Sequence, residues 1–339
     1  MLSRRSLIAG LTGALALPLR ARARTATDDT GRVLKIPETV ARVFPAGPPA
    51  AILLYTLAPD LLIGWPRALS PQERALLLPN IGARPETGRI TGRGNTANLE
   101  RVLSFKPDLI LDVGSINQTY LSLAERVQEQ TGIPYALLDG RFIDLPAAYR
   151  KLGALIGRAN EGESLAGHAA RMLDTVTQRI ADIAPERRPR VYYGRGSRGL
   201  ETGLGGSINV ETLELIARNV AAGRQGGLAI VSIEQVLVWN PDVIVTIERD
   251  FAASVKSDPA WASVAAVRAG HVHLAPALPF GWVDFPPSAN RLIGLWWLAK
   301  ILYPERFPES IGEIAREFHL RFYHVAPTEA QMNAVLTGR

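Results

Sequence analysis

Ten residues on predicted loops carry side chains that could bind an anionic or conjugated ligand. Arginine guanidinium groups grip anionic oxygens through forked hydrogen bonds, and aromatic rings cover apolar or conjugated ligand surface. Several of these residues follow predicted strands, and α/β sheets bind ligands at the carboxyl ends of their strands. The set comprises Trp65, Arg67, Arg93, Asn95, Asn117, Tyr193, Arg195, Trp282, Asp284 and Arg291. We predict that these residues bind a ligand, and we name no catalytic residue.

A glycine-rich run at residues 194–199 follows a predicted strand and reads Gly-Arg-Gly-Ser-Arg-Gly. This spacing matches a dinucleotide-binding loop, but there the third glycine lies in an opening helix. Here the run continues through glycine-rich residues 201–207, which cannot open a helix. The run also misses the G-x-S-x-G pattern of serine hydrolases by one position, and no base is evident beside it. We interpret it as a cleft loop that presents Tyr193, Arg195 and Arg198, and we predict that the protein is not an enzyme.

Metal binding by side chains finds little support in the distribution of histidines. The five histidines are His168, His271, His273, His319 and His324, and the chain has no cysteine. A transition metal held between two halves of a protein needs imidazole or thiolate ligands from both. The first half offers neither, and His271 and His273 alternate along a predicted strand, so they face opposite sides. We predict no metal ligand and no cofactor.

Strands and helices alternate along the chain, which is typical of parallel α/β sheets. Strands are predicted at residues 33–36, 41–44, 61–65, 109–113, 135–138, 191–193, 243–247 and 271–274. Helices are predicted at residues 50–57, 98–105, 120–131, 145–156, 210–219, 233–239, 259–267, 288–302, 311–323 and 328–336. The polar residues 25–32 are expected to fray. The fold class is therefore α/β.

A longer amphipathic helix is predicted over residues 161–183, because its apolar residues recur at steps of three and four. Asn160 and Glu163 could form a capping box at its start, and Pro185 would stop it. At about 1.5 Å per residue the helix would span roughly 35 Å, the width of a small domain.

Similar sequence lies on both sides of this helix. Residues 100–110 and 234–244 share Glu, Val-Leu and Pro-Asp at identical spacing, followed by an apolar residue and Ile. A helix, a Pro-Asp turn and a strand form a common sequence in α/β proteins. The number of identities nevertheless favours a structural repeat. Two matching lobes joined by one helix would leave a cleft between them.

The first 24 residues have the features of a bacterial export signal. Arg4 and Arg5 precede an apolar run at residues 7–19, and Ala21-Arg22-Ala23 offers a small-x-small cleavage site. Paired arginines favour the twin-arginine pathway, with ordinary secretion as the alternative. The apolar run is shorter than the ~20 residues that span a bilayer, and no cysteine could carry a lipid.

The charge balance outside this signal argues against a nucleic-acid partner. The segment holds five of the 38 Lys and Arg residues and none of the 32 acidic ones, so 33 basic residues remain against 32 acidic. The pI near 9.8 of the whole chain therefore does not indicate a nucleic-acid-binding face.

Two stretches resemble the paired signatures of a known family. Asn98-Leu99-Glu100-Arg101, followed by residues 106–109, resembles the first-lobe signature, and residues 231–237 resemble the second-lobe counterpart. The family is the helical-backbone (class III) substrate-binding proteins of ABC importers for ferric siderophores, haem, vitamin B12 and certain oxyanions. Residues 258–261 and 270–273 extend the resemblance. Residues 280–292 are similar to a sub-branch with molybdate, tungstate and iron-chelate binders.

The resemblance implies a periplasmic protein with two α/β lobes, parallel central sheets and a ligand cleft between them. Its parts are the export signal (residues 1–24), an N-terminal lobe (32–160), a linking backbone helix (161–184) and a C-terminal lobe with closing helices (188–339). Glu100 and Glu234 occupy the positions at which the family docks on arginines of the membrane permease, which a separate ATPase powers. A continuous linking helix implies small lobe motion, and we predict a monomer.

The resemblance leaves the ligand open. A ferric siderophore is favoured, because arginine, tyrosine and tryptophan are spread over both halves of the chain. Molybdate or tungstate is the runner-up, followed by a corrinoid and haem. An exported enzyme on the same scaffold is the alternative from a different class.

Overall fold

The computed structural model describes residues 23–92 and 97–338. The predicted export signal lies outside the described residues except for its last two residues. Ala23 and Arg24 belong instead to strand β1, whose residues through Thr27 pair with the next strand. The prediction that residues 25–32 fray is therefore wrong. The side chain of Asp28 is buried and accepts hydrogen bonds from Thr30 and Arg32, which fold the turn after the strand.

Within the described residues, the strands form two parallel sheets and two antiparallel pairs. They are β1 (Ala23–Thr27), β2 (Val33–Pro37), β3 (Val43–Pro45), β4 (Leu109–Gly114), β5 (Tyr135–Asp139), β6 (Arg190–Gly194), β7 (Glu201–Gly203), β8 (Arg218–Asn219), β9 (Leu228–Ile230), β10 (Val243–Thr246) and β11 (Val272–Leu274). The first lobe holds the parallel sheet β3-β4-β5, and the second holds β11-β10-β6-β8. The predicted two-lobe α/β class is confirmed.

Helices cover these sheets and join the lobes. They are α1 (Pro48–Leu57), α2 (Pro71–Arg74), α3 (Pro79–Gly82), α4 (Leu99–Ser104), α5 (Gln118–Thr131), α6 (Leu145–Ile156), α7 (Ala159–Arg179), α8 (Glu211–Glu214), α9 (Ile233–Trp239), α10 (Arg249–Ser254), α11 (Ala265–Arg268), α12 (Arg291–Leu302), α13 (Ile311–Phe318) and α14 (Glu329–Thr337). One π-helical turn, His319–Tyr323, follows α13. No helix of residues 23–92 and 97–338 is long and apolar enough to cross a bilayer.

The backbone helix α7 forms, but its ends differ from the prediction. Asn160 lies inside the helix, and the N-cap is Arg158, which makes no side-chain cap. Glu163 instead forms an ion pair with Arg150 of α6. Only Gly157, whose backbone is left-handed, and Arg158 lie between the end of α6 and the start of α7. The predicted capping box is therefore wrong because no loop is left in which it could form.

Several other predicted elements take different forms. The helix predicted over residues 259–267 is helical only from Ala265, in α11. Residues 61–65 make single bridges, Val43 with Leu62 and Trp65 with Glu86, instead of a strand. Of the helix predicted over residues 210–219, the first part is α8, and the last part is β8, which extends the second sheet beside β6. The Asn219 side chain fixes this edge by donating to the carbonyl oxygen of Gly203 at 3.1 Å.

The sequence repeat is also a repeat of structure. Lys106 and Asn240 end the equivalent helices α4 and α9 with left-handed backbones, φ 47° and 40°. Asp108 accepts from the backbone N–H of Arg42, and Asp242 accepts from that of Arg190. Each aspartate therefore ties its own strand to the start of the neighbouring parallel strand.

The end of the chain returns to the first lobe. The hydroxyl of Tyr55 in α1 donates to the carbonyl oxygen of Tyr323 at 2.7 Å. Gln331 in α14 donates to the carbonyl oxygen of Ala75 at 3.1 Å. A continuous apolar core runs from β2 through α1 and α7 to α14. The lobes are consequently joined by packed side chains as well as by the backbone helix.

Candidate functional site

A cavity of about 770 Å³ lies between the lobes, at the carboxyl ends of β4, β6 and β10. The first lobe contributes Arg89, Thr91 and Asp112 among its polar lining residues. The second contributes Arg195, Asn209 and Glu248. Apolar and aromatic groups complete the described wall, among them Tyr120, Ile208, Leu228, Ile247 and Phe285. This is the edge of the sheets at which the sequence places a ligand.

Arg195 lines the second-lobe side of the cavity and is held by carboxylates below and beside it. Its guanidinium contacts the buried Asp284 carboxylate and pairs with Glu201 at 3.1 Å. It lies 5.8 Å from the ring centroid of Tyr193 and 5.9 Å from that of Phe285. Burial acts to lower the pKa of Arg195, but the neighbouring charges prevail and raise it. Arg195 is therefore a fixed cation in the cleft wall.

Asp284 is the buried anchor of this arrangement. Its carboxylate also accepts a hydrogen bond from the Tyr193 hydroxyl at 3.0 Å and one from the Asn209 amide at 2.5 Å. Burial raises the pKa of the Asp284 carboxyl, while Arg195 and both hydrogen bonds oppose that shift. Tyr193 and Asp284 are buried behind Arg195 and orient its guanidinium, but neither residue lines the cavity.

Asp112 is a second buried carboxyl, on the first-lobe side of the cavity. It accepts hydrogen bonds from the hydroxyls of Thr91 and Tyr135, both at 3.0 Å, and from the backbone N–H of Val113. Burial raises the pKa of Asp112 against the effect of these donors. Strand β4 is otherwise apolar from Leu109 to Val113. An acid within an apolar strand marks Asp112 in the sequence as unusual, but our prediction did not include it.

Arg291 binds the two lobes to each other beside the cavity. It donates to the carbonyl oxygen of Gly140 at 2.8 Å and pairs with Glu211 at 2.8 Å. Its guanidinium lies 4.9 Å from the ring centroid of Phe142, whose backbone N–H donates to Glu211 at 2.9 Å. Gly140 and Phe142 belong to the first lobe, while Glu211 and Arg291 belong to the second. Arg291 is placed as an interlobe tether and not in the cavity wall.

The remaining predicted residues that the structure describes do not line the cavity. Trp65 is buried in the core, where its indole N–H donates to the carbonyl oxygen of Ile81. Trp282 is fully buried, and Arg67 pairs with Glu73. Asn117 caps α5, next to the lining residues Ser115 and Tyr120. Arg93 and Asn95 lie outside the described residues. The type of a residue, aromatic or polar, was therefore not enough to distinguish residues of the cleft from residues of the core and from helix caps.

Several lining residues escaped the sequence prediction. Glu201 and Glu248 bring negative charge to the cavity wall, and neither is among the predicted residues. Glu248 accepts a hydrogen bond from the backbone N–H of Gly196 at 3.1 Å, so it braces the glycine-rich loop. Within residues 23–92 and 97–338, no group of three or more metal-ligating side chains occurs.

Glu100 and Glu234 lie on the surface at equivalent positions of the two lobes. Each is the second residue of its helix, α4 or α9, and each is exposed. Asn98 and Ser232 cap these helices by accepting from the N–H groups of Arg101 and Gln235. The repeated acid is thus presented to solvent in the same local structure twice.

Comparisons with known proteins agree with this architecture. A sequence model of the periplasmic binding protein family matches residues 82–278. A solute-binding protein of an ABC transporter from Sulfurospirillum deleyianum is similar in structure, with a TM-score of 0.84 and 28% identity over 93% of this chain and 99% of that one. The chain belongs to the periplasmic binding protein family, and the resemblance to the helical-backbone class is confirmed.

A second relative has a named ligand. The molybdate-binding protein MolA of Haemophilus influenzae is 25% identical over 263 residues, which are 71% of this chain and 74% of that protein. The molybdate-bound structure of MolA has a TM-score of 0.75 at 23% identity, covering 90% of this chain and 99% of that one.

Proposed function

We propose that this periplasmic binding protein captures a ferric chelate of the siderophore type and delivers it to the permease of an ABC importer. The volume of the interlobe cavity, about 770 Å³, carries this proposal. It lies within the range of about 300–1,000 Å³ that is usual for organic ligands. At about 30 Å³ per water, it would hold roughly 25 water molecules, far more than a four-oxygen anion occupies.

The chemistry of the wall supports an organic chelate as well. Arg89 and Arg195 bring positive charge from opposite lobes, and Phe285 and Tyr120 bring aromatic surface. Glu201, Glu248 and Asp112 share the same wall. Carboxylates repel a bare oxyanion, but they accept hydrogen bonds from the hydroxyl and amide groups of an organic chelator. A chelate with acidic, donor and ring groups therefore matches this lining better than a small anion does.

Molybdate or tungstate is the second candidate. The observation in its favour is the similarity to MolA, a molybdate-binding protein. Arg89 and Arg195 could bind such an anion. This candidate requires the carboxylates of the wall to turn away from the anion or to be protonated.

Delivery is proposed to use the two surface acids. Glu100 and Glu234 would pair with cations of the permease, one at each lobe. A helix-dipole role alone accounts for an acid at either place, but not for the same exposed acid in both lobes. Reversing both charges should abolish uptake and leave ligand affinity intact. Loss of ligand affinity in that variant would contradict the docking role.

The ligand can be identified on protein purified from the periplasm of its own bacterium. Native mass spectrometry combined with metal analysis should find iron together with an organic mass. Molybdenum or tungsten without an organic mass would favour the oxyanion instead. A ligand returned unchanged at one per protein supports a binding protein, whereas turnover without a permease would support the enzyme alternative.

A further inference from the structure

The two acids that we assign to docking are each followed by an exposed leucine. Leu103 lies three residues after Glu100, and Leu237 lies three residues after Glu234. Residues three apart lie on one face of a helix, so each acid and its leucine are neighbours. The leucine side chains are 45% and 36% exposed, although leucine is usually buried.

The packing of the two short helices explains why these leucines point outward. The preceding valines, Val102 and Val236, are completely buried. Val102 packs in a small apolar cluster of the first lobe, and Val236 packs in a separate cluster of the second. Because neighbouring helical residues point about 100° apart, fixing each valine in its lobe turns the following leucine toward solvent.

The neighbouring surface positions of the two helices differ. Arg101 in α4 corresponds to Gln235 in α9, and Ser104 corresponds to Val238. At the surface of these helices, the acid and the leucine are what the two lobes share. An isolated exposed leucine needs no explanation, but the same acid–leucine pair on equivalent helices of both lobes points to a common partner surface.

We propose that each lobe docks through an acid–leucine pair, in which the permease offers a cation to the glutamate and an apolar depression to the leucine. This inference rests on the proposed docking function and adds a second kind of contact to it. Val238, which is 78% exposed beside Leu237, enlarges the apolar area of the second lobe. The cation pairing fixes where the lobes bind, and leucine burial supplies attraction that salt does not screen.

The test compares two double variants in binding to membrane vesicles that contain the importer's permease and ATPase, with vesicles lacking them as the blank. Leu103→Ser with Leu237→Ser should weaken permease-dependent binding by about tenfold or more, because apolar burial is lost. Its salt dependence should match that of the unchanged protein. Glu100→Gln with Glu234→Gln should weaken binding and flatten the salt dependence.

Leu320→Ser is the matched control, since Leu320 is 58% exposed and lies on the π-helical turn, outside α4 and α9. It should bind as the unchanged protein does, and every variant should retain the melting temperature of the unchanged protein. If the leucine variant binds normally while the glutamate variant fails, the inference is overturned and the docking proposal stands. If neither double variant changes binding, both are overturned. A loss in the control equal to that in the leucine variant also overturns the inference.

Discussion

The guanidinium of Arg291 and the carbonyl oxygen of Gly140, which belong to different lobes, lie 2.8 Å apart. Glu211 completes this contact by accepting from Arg291 and from the backbone N–H of Phe142. The four residues lie next to the ligand cavity, where a change of lobe angle would have to separate them. The arrangement agrees with the small lobe motion that the backbone helix predicts, namely a few degrees of rotation between free and bound forms.

Replacing Arg291 by methionine should weaken the lobe contact. The variant leaves the Glu211 carboxylate and the Gly140 carbonyl oxygen without the partner that now binds both. We expect the free energy of unfolding to fall by about 3 kcal/mol, the scale for breaking a buried charge pair, and the radius of gyration to increase. Urea unfolding and small-angle X-ray scattering measure these two quantities. Arg150→Met, which breaks an exposed ion pair, should change neither; an equal effect of both variants would contradict the tether.

Replacing Gly294 by alanine should destabilise the loop that lines the cleft. A Cβ at this position of α12 would lie 1.8 Å from the carbonyl oxygen of Trp282, so the helix and the loop could not pack as they do. We expect a loss of about 1–3 kcal/mol in the free energy of unfolding, typical of overpacking.

Gly167 in α7 provides the matched control. A Cβ there meets only the flexible end of Arg171, at 3.4 Å. Gly167→Ala should therefore stabilise the protein by up to about 1 kcal/mol, the usual preference for alanine within a helix. Thermal unfolding of the two variants should shift in opposite directions. A gain at Gly294 would show that the close approach of helix and loop is not required.

Acid should destabilise the protein through His319. Its imidazole is fully buried, neither ring nitrogen has a hydrogen-bond partner among the described residues, and burial lowers its pKa to about 4. Above pH 6.5 the imidazole is neutral in both the folded and the unfolded chain. Between pH 6.5 and 4 the unfolded chain takes up a proton that the folded chain cannot accept. The free energy of unfolding should therefore fall by about 3 kcal/mol across this window, at 1.36 kcal/mol for each unit of pKa shift.

His319→Phe tests this contribution, since it keeps a ring beside Tyr323 and removes the titrating group. The variant should lose less stability than the unchanged protein when urea unfolding is compared at pH 7 and pH 4.5. Val33→Ala, at an exposed residue of β2 that carries no titrating group, serves as the control and should leave the pH dependence unaltered. Parallel pH profiles for all three proteins would assign the acid sensitivity to other groups.

Phe285 should distinguish the two candidate ligands. Its ring is 60% exposed, lines the cavity and lies over Arg195. Phe285→Ala should weaken binding of ferric hydroxamate or catecholate chelates by about tenfold, equivalent to 1.4 kcal/mol for a lost ring contact. Molybdate binding should be unchanged, because so small an anion can be bound by arginine without ring contact. Isothermal titration calorimetry measures both, with Val33→Ala, at an exposed apolar residue of β2, as the control. Unaltered chelate affinity would contradict the proposed role of Phe285.

Periodicity and local chemistry were sufficient to predict most of the fold. The alternation of strands and helices gave the α/β class, and the repeat around Glu100 and Glu234 gave the two lobes. The same reasoning failed where tertiary contacts decide the local structure. Residues 210–219 have a helical apolar pattern, but Arg218 and Asn219 pair with β6 and form a strand at the edge of the second sheet.

The site was harder to predict, because residue type does not reveal which way a side chain faces. Arg195 and Arg291 look alike in the sequence, yet one lines the cavity and the other joins the lobes. Trp282 follows the same aromatic pattern as Phe285 and is fully buried. Asp112 lies within an apolar strand, and its carboxylate accepts hydrogen bonds from the hydroxyls of Thr91 and Tyr135. Those two residues are distant in the sequence, so the sequence alone does not reveal the contacts.

The return of the chain's end to the first lobe has a consequence for how the protein melts. Because Tyr55 is hydrogen-bonded to Tyr323 within an apolar core that runs through both lobes, each lobe shares a large part of its interior with the other. The halves look like two copies of one unit, yet we expect this shared core to make them unfold together. A fragment ending after α7 would expose the face of α1 that the last helices cover, and heat should unfold the intact chain in one transition.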